Sequence, residues 1–319
     1  MDLSEDELID AIGRVLSGAG AEVIVGPGDD AAVLARGAGE LVLTADAMIE
    51  GVHFDRRITS ARDLGYKAVM VNLSDIAAMG ASPRAALVTL VLTPELDAAW
   101  VMELYGGMRQ ACDEHALWLV GGDLARGAQI AISVTVTGEV APGRAVTRAG
   151  ARPGDVLAVT GALGASASGL RVARSGRVRG EADRALLHAH LRPTARVGEG
   201  AVLARHGATA MMDVSDGLAK DLSRLASASG VGATIRLPDV PVADGATRDD
   251  AMGGGEDYEL LVTLPGEEAF TAAAGELRET YGTPLTAIGS IVHDVGVVAV
   301  GDDGVERPVA PTGWDHFRP

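Results

Sequence analysis

Between Gly26 and Phe54 the chain sets down a pattern that few folds can tolerate without a counter-ion. Gly26-Pro27-Gly28 turns into two adjacent acids, Asp29-Asp30. A short apolar run, Leu41-Val42-Leu43, then leads through Thr44-Ala45 to Asp46, and Glu50-Gly51-Val52-His53-Phe54 follows. Adjacent carboxylates repel one another, so drawing them together in a folded site calls for a cation or for strong hydrogen-bond donors. The stretch is expected to form half of a magnesium-phosphate site.

The same design recurs. Asp123 and Asp213 are each expected just after a strand, as Asp46 is, and Asp75 lies within a helix in Val71-Asn72-Leu73-Ser74-Asp75. For any single acid, capping a helix or closing a turn is the ordinary role. Their repetition, with Asp29-Asp30, favours a shared site for a hard, oxygen-seeking cation. Gly-rich turns accompany the acids: Gly121-Gly122, Gly161-Ala162-Leu163-Gly164 and Gly253-Gly254-Gly255. Glycine lets backbone N–H groups approach phosphate oxygens, although it also marks plain turns. Neither the Walker pattern G-x-x-x-x-G-K-[ST] nor a G-x-G-x-x-G after a strand occurs, so any nucleotide phosphates must be met by metal and arginine.

Bulk properties narrow the class. The 319 residues suffice for roughly two domains. A formal charge of -17 argues against nucleic acid or an anionic membrane as partner. The chain has only two lysines, Lys67 and Lys220, so arginine carries most of its positive charge. One cysteine, Cys112, rules out an internal disulfide or a multi-thiolate zinc site and reads as a buried structural thiol. The amino terminus has no basic start ahead of an apolar core, and no apolar run approaches the ~20 residues of a spanning helix. A soluble protein of the cytoplasm is expected.

Periodicity predicts helices over 4–16, 60–79, 93–115, 166–174, 182–189, 197–205, 216–228 and 267–281. Strands are predicted over 23–25, 31–35, 40–45, 84–92, 118–120, 130–140, 156–160, 210–212, 233–237, 259–264, 286–291 and 295–300. The Gly/Pro/Arg-rich connection after Val140 marks a boundary between domains 1–141 and 142–319. Neither half shows strict βαβ alternation, so two α+β domains are expected. His53 reads as structural or as a base. Trp314, in Gly313-Trp314-Asp315-His316-Phe317, must dock on protein or on a flat ligand.

In this order, the motifs Gly28-Asp29-Asp30-Ala31-Ala32, Asp46 with Gly51-Val52-His53-Phe54, Asn72 to Gly80, Gly121-Gly122-Asp123, Asp213-Val214-Ser215-Asp216-Gly217, Gly254 to Glu259 and Gly313 to Phe317 span nearly the whole chain. They resemble the thiamine-monophosphate kinase family, within the superfamily that includes aminoimidazole-ribonucleotide synthetase. The resemblance implies two mixed α/β-sandwich domains, with the N-terminal sheets paired across a homodimer. It implies ATP-dependent phosphorylation of thiamine monophosphate to thiamine diphosphate, the last step in making that cofactor.

Residue by residue, the resemblance assigns magnesium to Asp29, Asp30, Thr44, Ala45 (through its carbonyl), Asp46, Asp75, Asp123, Asp213 and Asp216. Asp75 and Asp213 are the catalytic candidates among them. ATP falls to Tyr105, Gly122, Asp123, Arg148 and Ser215, and the thiamine phosphate to His53, Glu256 and Trp314. Of the rival superfamily members, selenophosphate synthetase is expected to carry a reactive Cys near the amino terminus, and the hydrogenase-maturation member to end in Cys. The chain has neither. A magnesium phosphatase and a non-catalytic nucleotide-binding module remain as readings from other classes.

Overall fold

The computed structural model describes residues 5–15, 22–25, 33–35 and 37–314. By backbone contacts the chain forms two compact units, 1–76 with 82–143, and 77–81 with 144–319.

The first unit comprises α1 (Glu5–Val15), β1 (Val23–Val25), β2 (Val33–Leu34), β3 (Glu40–Ile49), α2 (Ala61–Ala78, whose last two residues group with the second unit), β4 (Ser82–Leu92), α3 (Ala98–Glu114), β5 (Trp118–Arg126) and β6 (Ala131–Val140). Four strands make a sheet in the order β3-β6-β4-β5, antiparallel except for β4 beside β5. In β6, Ile132, Val134 and Val136 are buried and alternate with half-buried Ser133, Thr135 and Thr137, the period of a strand with one face on a core. That core also takes Leu64, Val69 and Leu73 from α2 and Val101, Leu104 and Met108 from α3. The two helices touch backbone to backbone: a Cβ at Gly65 would stand 1.9 Å from the Leu104 carbonyl oxygen, and one at Gly107 1.9 Å from that of Arg62.

The other face of the sheet is open. On it β3 shows Leu41 and Leu43, and β4 shows Leu87, at 63%, 62% and 46% exposure.

In the second unit are β7 (Val156–Thr160), α4 (Ala165–Ser175), α5 (Glu181–Leu191), α6 (Val197–Arg205), β8 (Ala210–Asp213), α7 (Leu218–Ser229), β9 (Gly232–Arg236), α8 (Arg248–Gly253), β10 (Leu260–Leu264), α9 (Glu267–Tyr281), β11 (Leu285–Val292), β12 (Gly296–Val300) and β13 (Glu306–Pro308). Seven strands form one sheet, β13-β12-β9-β11-β7-β10-β8, in which only β9 and β12 run parallel. The central strands β7 and β10 are buried along their whole length. One buried cluster gathers Leu157, Val159, Met212, Leu222, Leu225 and Leu261, and another Ala158, Leu203, Met211, Val262 and Leu277.

Three expectations need correction. The helix predicted from Thr93 starts at Ala98, because the Asp97 carboxylate accepts the Trp100 N–H at 2.8 Å and so caps it. Asp46 and Asp123 do not follow strands but lie inside β3 and β5. Polar residues in β3 face a helix rather than ending the strand. Gly121-Gly122 continues β5, since a Cβ at Gly122 would sit 2.0 Å from the Val88 carbonyl oxygen on the neighbouring strand.

Candidate functional site

Strand alternation divides the candidate residues of the first unit. In β3, Thr44 and Asp46 share the face turned toward α2, while Ala45 points to the open face with Leu41 and Leu43. The Thr44 hydroxyl donates to Asp75 Oδ2 at 2.5 Å. The Asp46 N–H donates to the Asn72 side-chain oxygen at 3.0 Å, and the fully buried Asn72 donates in turn to the Ala68 carbonyl at 3.0 Å. Asn72 thus ties the strand to the helix that carries Asp75. Asp46 keeps an exposed edge, yet loss of solvent around its carboxyl, and then the charge of Asp75, pushes its pKa up to about 6. Two carboxylates in mutual repulsion, with a hydroxyl beside them, form a set of oxygen donors that suits a hard divalent cation.

The other assignments in this unit stand apart from that cluster. Asp123 pairs with Thr89 across β4, Thr89 with Ser133, and Ser133 with Ala47. Asp123 is therefore on the open face, opposite Asp46. Tyr105 lies in the core at 4% exposure, and burial pushes its hydroxyl up to about 12. His53 is half-buried, and its Nδ1 accepts the Ile49 N–H at 3.0 Å across the turn that ends β3. Asp29 and Asp30 lie outside the described residues.

In the second unit two loops are stitched together. β8 ends at the buried Asp213, and Val214-Ser215-Asp216-Gly217 leads into α7. Against it runs Gly255 to Glu259. The N–H groups of Glu256 and Tyr258 donate to the Ser215 and Val214 carbonyls at 2.8 and 2.9 Å, and the Val214 N–H donates to the Glu259 carbonyl at 2.8 Å. Glu256 and Tyr258 both have left-handed φ, 66° and 54°. Such backbone in residues that are not glycine persists only where the surroundings hold it. A Cβ at Gly255 would come 2.7 Å from the Ser215 carbonyl oxygen, so the approach requires glycine.

Asp221, a residue the sequence reading passed over, lies beneath this turn with no exposure. Its Oδ2 accepts the N–H groups of Ser215, Asp216 and Gly217 at 3.1, 2.9 and 3.1 Å, and its Oδ1 accepts from Arg224 at 2.9 Å. Burial pushes its pKa up, while the donor groups from the Asp216 backbone and Arg224 pull it down. With its N–H groups drawn inward, the turn is held in one conformation. The Asp216 carboxylate meets Lys220 at 3.0 Å and Arg224 at 2.7 Å, both on Oδ2. Trp314 is half-exposed, and its N–H donates to the Asp216 carbonyl at 3.1 Å. Arg148 is exposed, its carbonyl accepting the Ser229 hydroxyl at 3.0 Å.

Beyond the second loop a cavity of about 170 Å³ is lined by Ser166, His188, Arg192, Arg196, Glu256 and Asp257, among others. The His190 ring lies 3.5 Å from the Glu256 carboxylate and 3.0 Å from the Ser166 hydroxyl. Asp257 accepts the N–H groups of Gly164 and Ser166 at the start of α4, at 2.6 and 3.2 Å, yet burial outweighs them and pushes it up to about 7. Glu259 is held by Arg196 through two bonds, 2.8 and 2.6 Å, and by the Thr160 hydroxyl at 2.6 Å.

Among the described residues no three His, Cys, Asp or Glu side chains converge as a ready-made metal cluster. The donor groups occur as a pair in the first unit, Asp46 with Asp75, and as neighbours on one turn in the second, Asp213 and Asp216.

Comparison with known proteins bears on the whole chain. Residues 28–140 match the AIR synthase related protein N-terminal domain, and residues 152–302 its C-terminal domain. The thiamine-monophosphate kinase of Salmonella typhimurium is 39% identical over 310 residues, 93% of either chain, and that of Aquifex aeolicus 36% identical over 99% of either. A crystal structure of thiamine-monophosphate kinase from Stenotrophomonas maltophilia superposes with a TM-score of 0.84 at 38% identity, covering 97% of this chain and 99% of that one. The structure of AaThiL complexed with AMPPCP and TMP superposes at 0.77 and 36%, covering 99% of each.

Proposed function

The chain belongs to the AIR synthase related protein family, and from that premise we propose that it phosphorylates thiamine monophosphate with ATP to give thiamine diphosphate. The reading is carried by the near-complete overlap with thiamine-monophosphate kinases, one of them in complex with AMPPCP and TMP. The reaction is an in-line transfer of the γ-phosphoryl group to an acceptor that is itself a phosphate. Such an acceptor is already anionic, so no strong general base is needed, in keeping with a His53 whose Nδ1 is engaged by backbone.

Magnesium is the cation the oxygen donors fit, and when bound it screens the charge of two polyanions and stabilises that of the transition state. Several ions are assigned: in the first unit Thr44, Asp46 and Asp75 are the proposed holders of one and Asp123, on the opposite face, of another, with Asp29, Asp30 and the Ala45 carbonyl as further proposed donors. In the second unit they are Asp213 and Asp216. Of these, Asp75 and Asp213 are the proposed catalytic residues. Gly122, Asp123, Arg148 and Ser215 are the proposed ATP contacts. The buried Tyr105 reaches nucleotide only if its hydroxyl edge is uncovered. Glu256, His53 and Trp314 are the proposed contacts of the thiamine phosphate, and the half-exposed Trp314 ring offers an aromatic face for stacking.

The open sheet face of the first unit supports a homodimer, because Leu41, Leu43 and Leu87 form an apolar patch there. Leu43→Glu is expected to shift the protein from dimer to monomer in sedimentation velocity. The proposed use of ATP supports a reaction in the cytoplasm.

The deciding assay follows ADP release with thiamine monophosphate, with thiamine and with no acceptor, run side by side. ADP formed only with thiamine monophosphate is the expected result. Inorganic phosphate released without ATP would instead indicate a phosphatase, and ATP bound without ADP formed, a binding module.

A further inference from the structure

Lys220 is one of only two lysines in the chain, and it stands at a junction. Its ammonium lies 3.0 Å from Asp216 Oδ2 and also donates to the main-chain carbonyl of Trp314. Trp314 is tied to the same turn from its other side, through its N–H to the Asp216 carbonyl at 3.1 Å. The preceding Gly313 is pressed so closely there that a Cβ would stand 2.5 Å from the Asp216 carbonyl oxygen and 2.9 Å from the Lys220 Cβ. The Asp216 carboxylate has a second cation, Arg224 at 2.7 Å, and the turn itself is fixed from below by Asp221. Lys220 is therefore one of several supports of the turn, while its bond to the Trp314 carbonyl is a side-chain tie between that residue and α7. An ammonium, compact and carrying three donors, can serve a carboxylate and a carbonyl together.

We propose that Lys220 is a positioning residue that seats Trp314 on the acidic turn of α7 and thereby sets the affinity for the thiamine phosphate acceptor. It acts through Trp314 and not on the reacting phosphates. The inference rests on the reading above, in which Trp314 contacts that substrate. Because the link is main-chain, it fixes where the indole starts.

The test pairs a readout without substrate and one with it. Hydrogen–deuterium exchange of the C-terminal peptide, in the full-length protein without ligands, reports the tail. Steady-state kinetics with ATP and thiamine monophosphate reports its use. In Lys220→Met the Trp314 amide should exchange faster, and KM for thiamine monophosphate should rise about tenfold while kcat and KM for ATP stay within about twofold. Lys220→Arg, which retains charge and donors, should restore both. Unchanged exchange would remove the link. Accelerated exchange with an unchanged KM for thiamine monophosphate, or with KM for ATP raised as much, would overturn its role in acceptor binding. A wild-type protein that forms no ADP with thiamine monophosphate would refute the functional reading, and with it the acceptor role, while the exchange comparison would still decide the link.

Discussion

The carboxylate of Asp221 accepts the backbone N–H of Asp216 at 2.9 Å, from a position with no solvent exposure at all. Ser215 and Gly217 give their N–H groups to the same oxygen, so three successive residues of the acidic turn hang from one buried atom. Asp221→Ala leaves those donors without their acceptor. Stability in urea unfolding is expected to fall by about 3 kcal/mol. Turnover in the protein that remains folded is expected to fall about 10- to 100-fold, because the turn that presents Ser215 and Asp216 is no longer fixed.

Asp75→Asn is expected to cut turnover by at least about 100-fold with little change in circular dichroism or melting temperature. The amide oxygen can still accept the Thr44 hydroxyl, now 2.5 Å from Asp75, so the fold keeps its bond and loses only the charge. The same change removes one of the two influences that raise Asp46. The Asp46 carboxyl should therefore titrate lower in the variant, which carboxyl-detected NMR can follow. Full activity in Asp75→Asn would sink the metal assignment.

The pH dependence of stability carries a sign set by Asp257. Burial raises its folded pKa to about 7 from 3.8. Between those values the folded state binds the proton that the unfolded state has lost. Its contribution is thus fully present below about pH 4 and is lost as the pH rises through 7. Relative to Asp257→Asn, the wild type should lose melting temperature on going from pH 4 to pH 8. A gap that widens instead would mean that the amides of Gly164 and Ser166 outweigh burial.

Glu259 and Arg196 form a buried pair with two bonds and 7% exposure at the glutamate. Glu259→Ala leaves the guanidinium with Glu199 at 3.2 Å and the Thr283 hydroxyl at 3.3 Å and is expected to cost about 2–3 kcal/mol, whereas Arg196→Met with Glu259→Met should cost less than the sum of the single changes. Chemical unfolding of the three variants gives the comparison.

Most helices and strands were legible because their apolar periods are long and regular, as in α9 and β6. What escaped was of two kinds. Strand ends misled where polar residues faced a helix, as Thr44 and Asp46 do, or where paired glycines answered a neighbouring backbone, as Gly122 does. The short α8 was missed, although Thr247 and Asp250 form a capping box with the Thr-x-x-acid spacing. At the site, the acids could be read from their positions after apolar runs, but their supports could not. Asp221 looks like any acid in a first helical turn, and Asn72 like any polar residue in a helix. The contact of Ser215 with Glu256 joins loops far apart in sequence, and only the fold brings them together. Placement of Asp29 and Asp30 lies outside the described residues.

In β3 the acid-bearing side and the leucine-bearing side are successive residues of one strand, Leu41, Leu43 and Ala45 alternating with Thr44 and Asp46. Deleting a single residue within β3 would turn over every side chain beyond it. The two faces are thus inherited as one unit: lineages can exchange residues along β3 but cannot shift its frame, and tolerated insertions and deletions should fall in the turns that flank it.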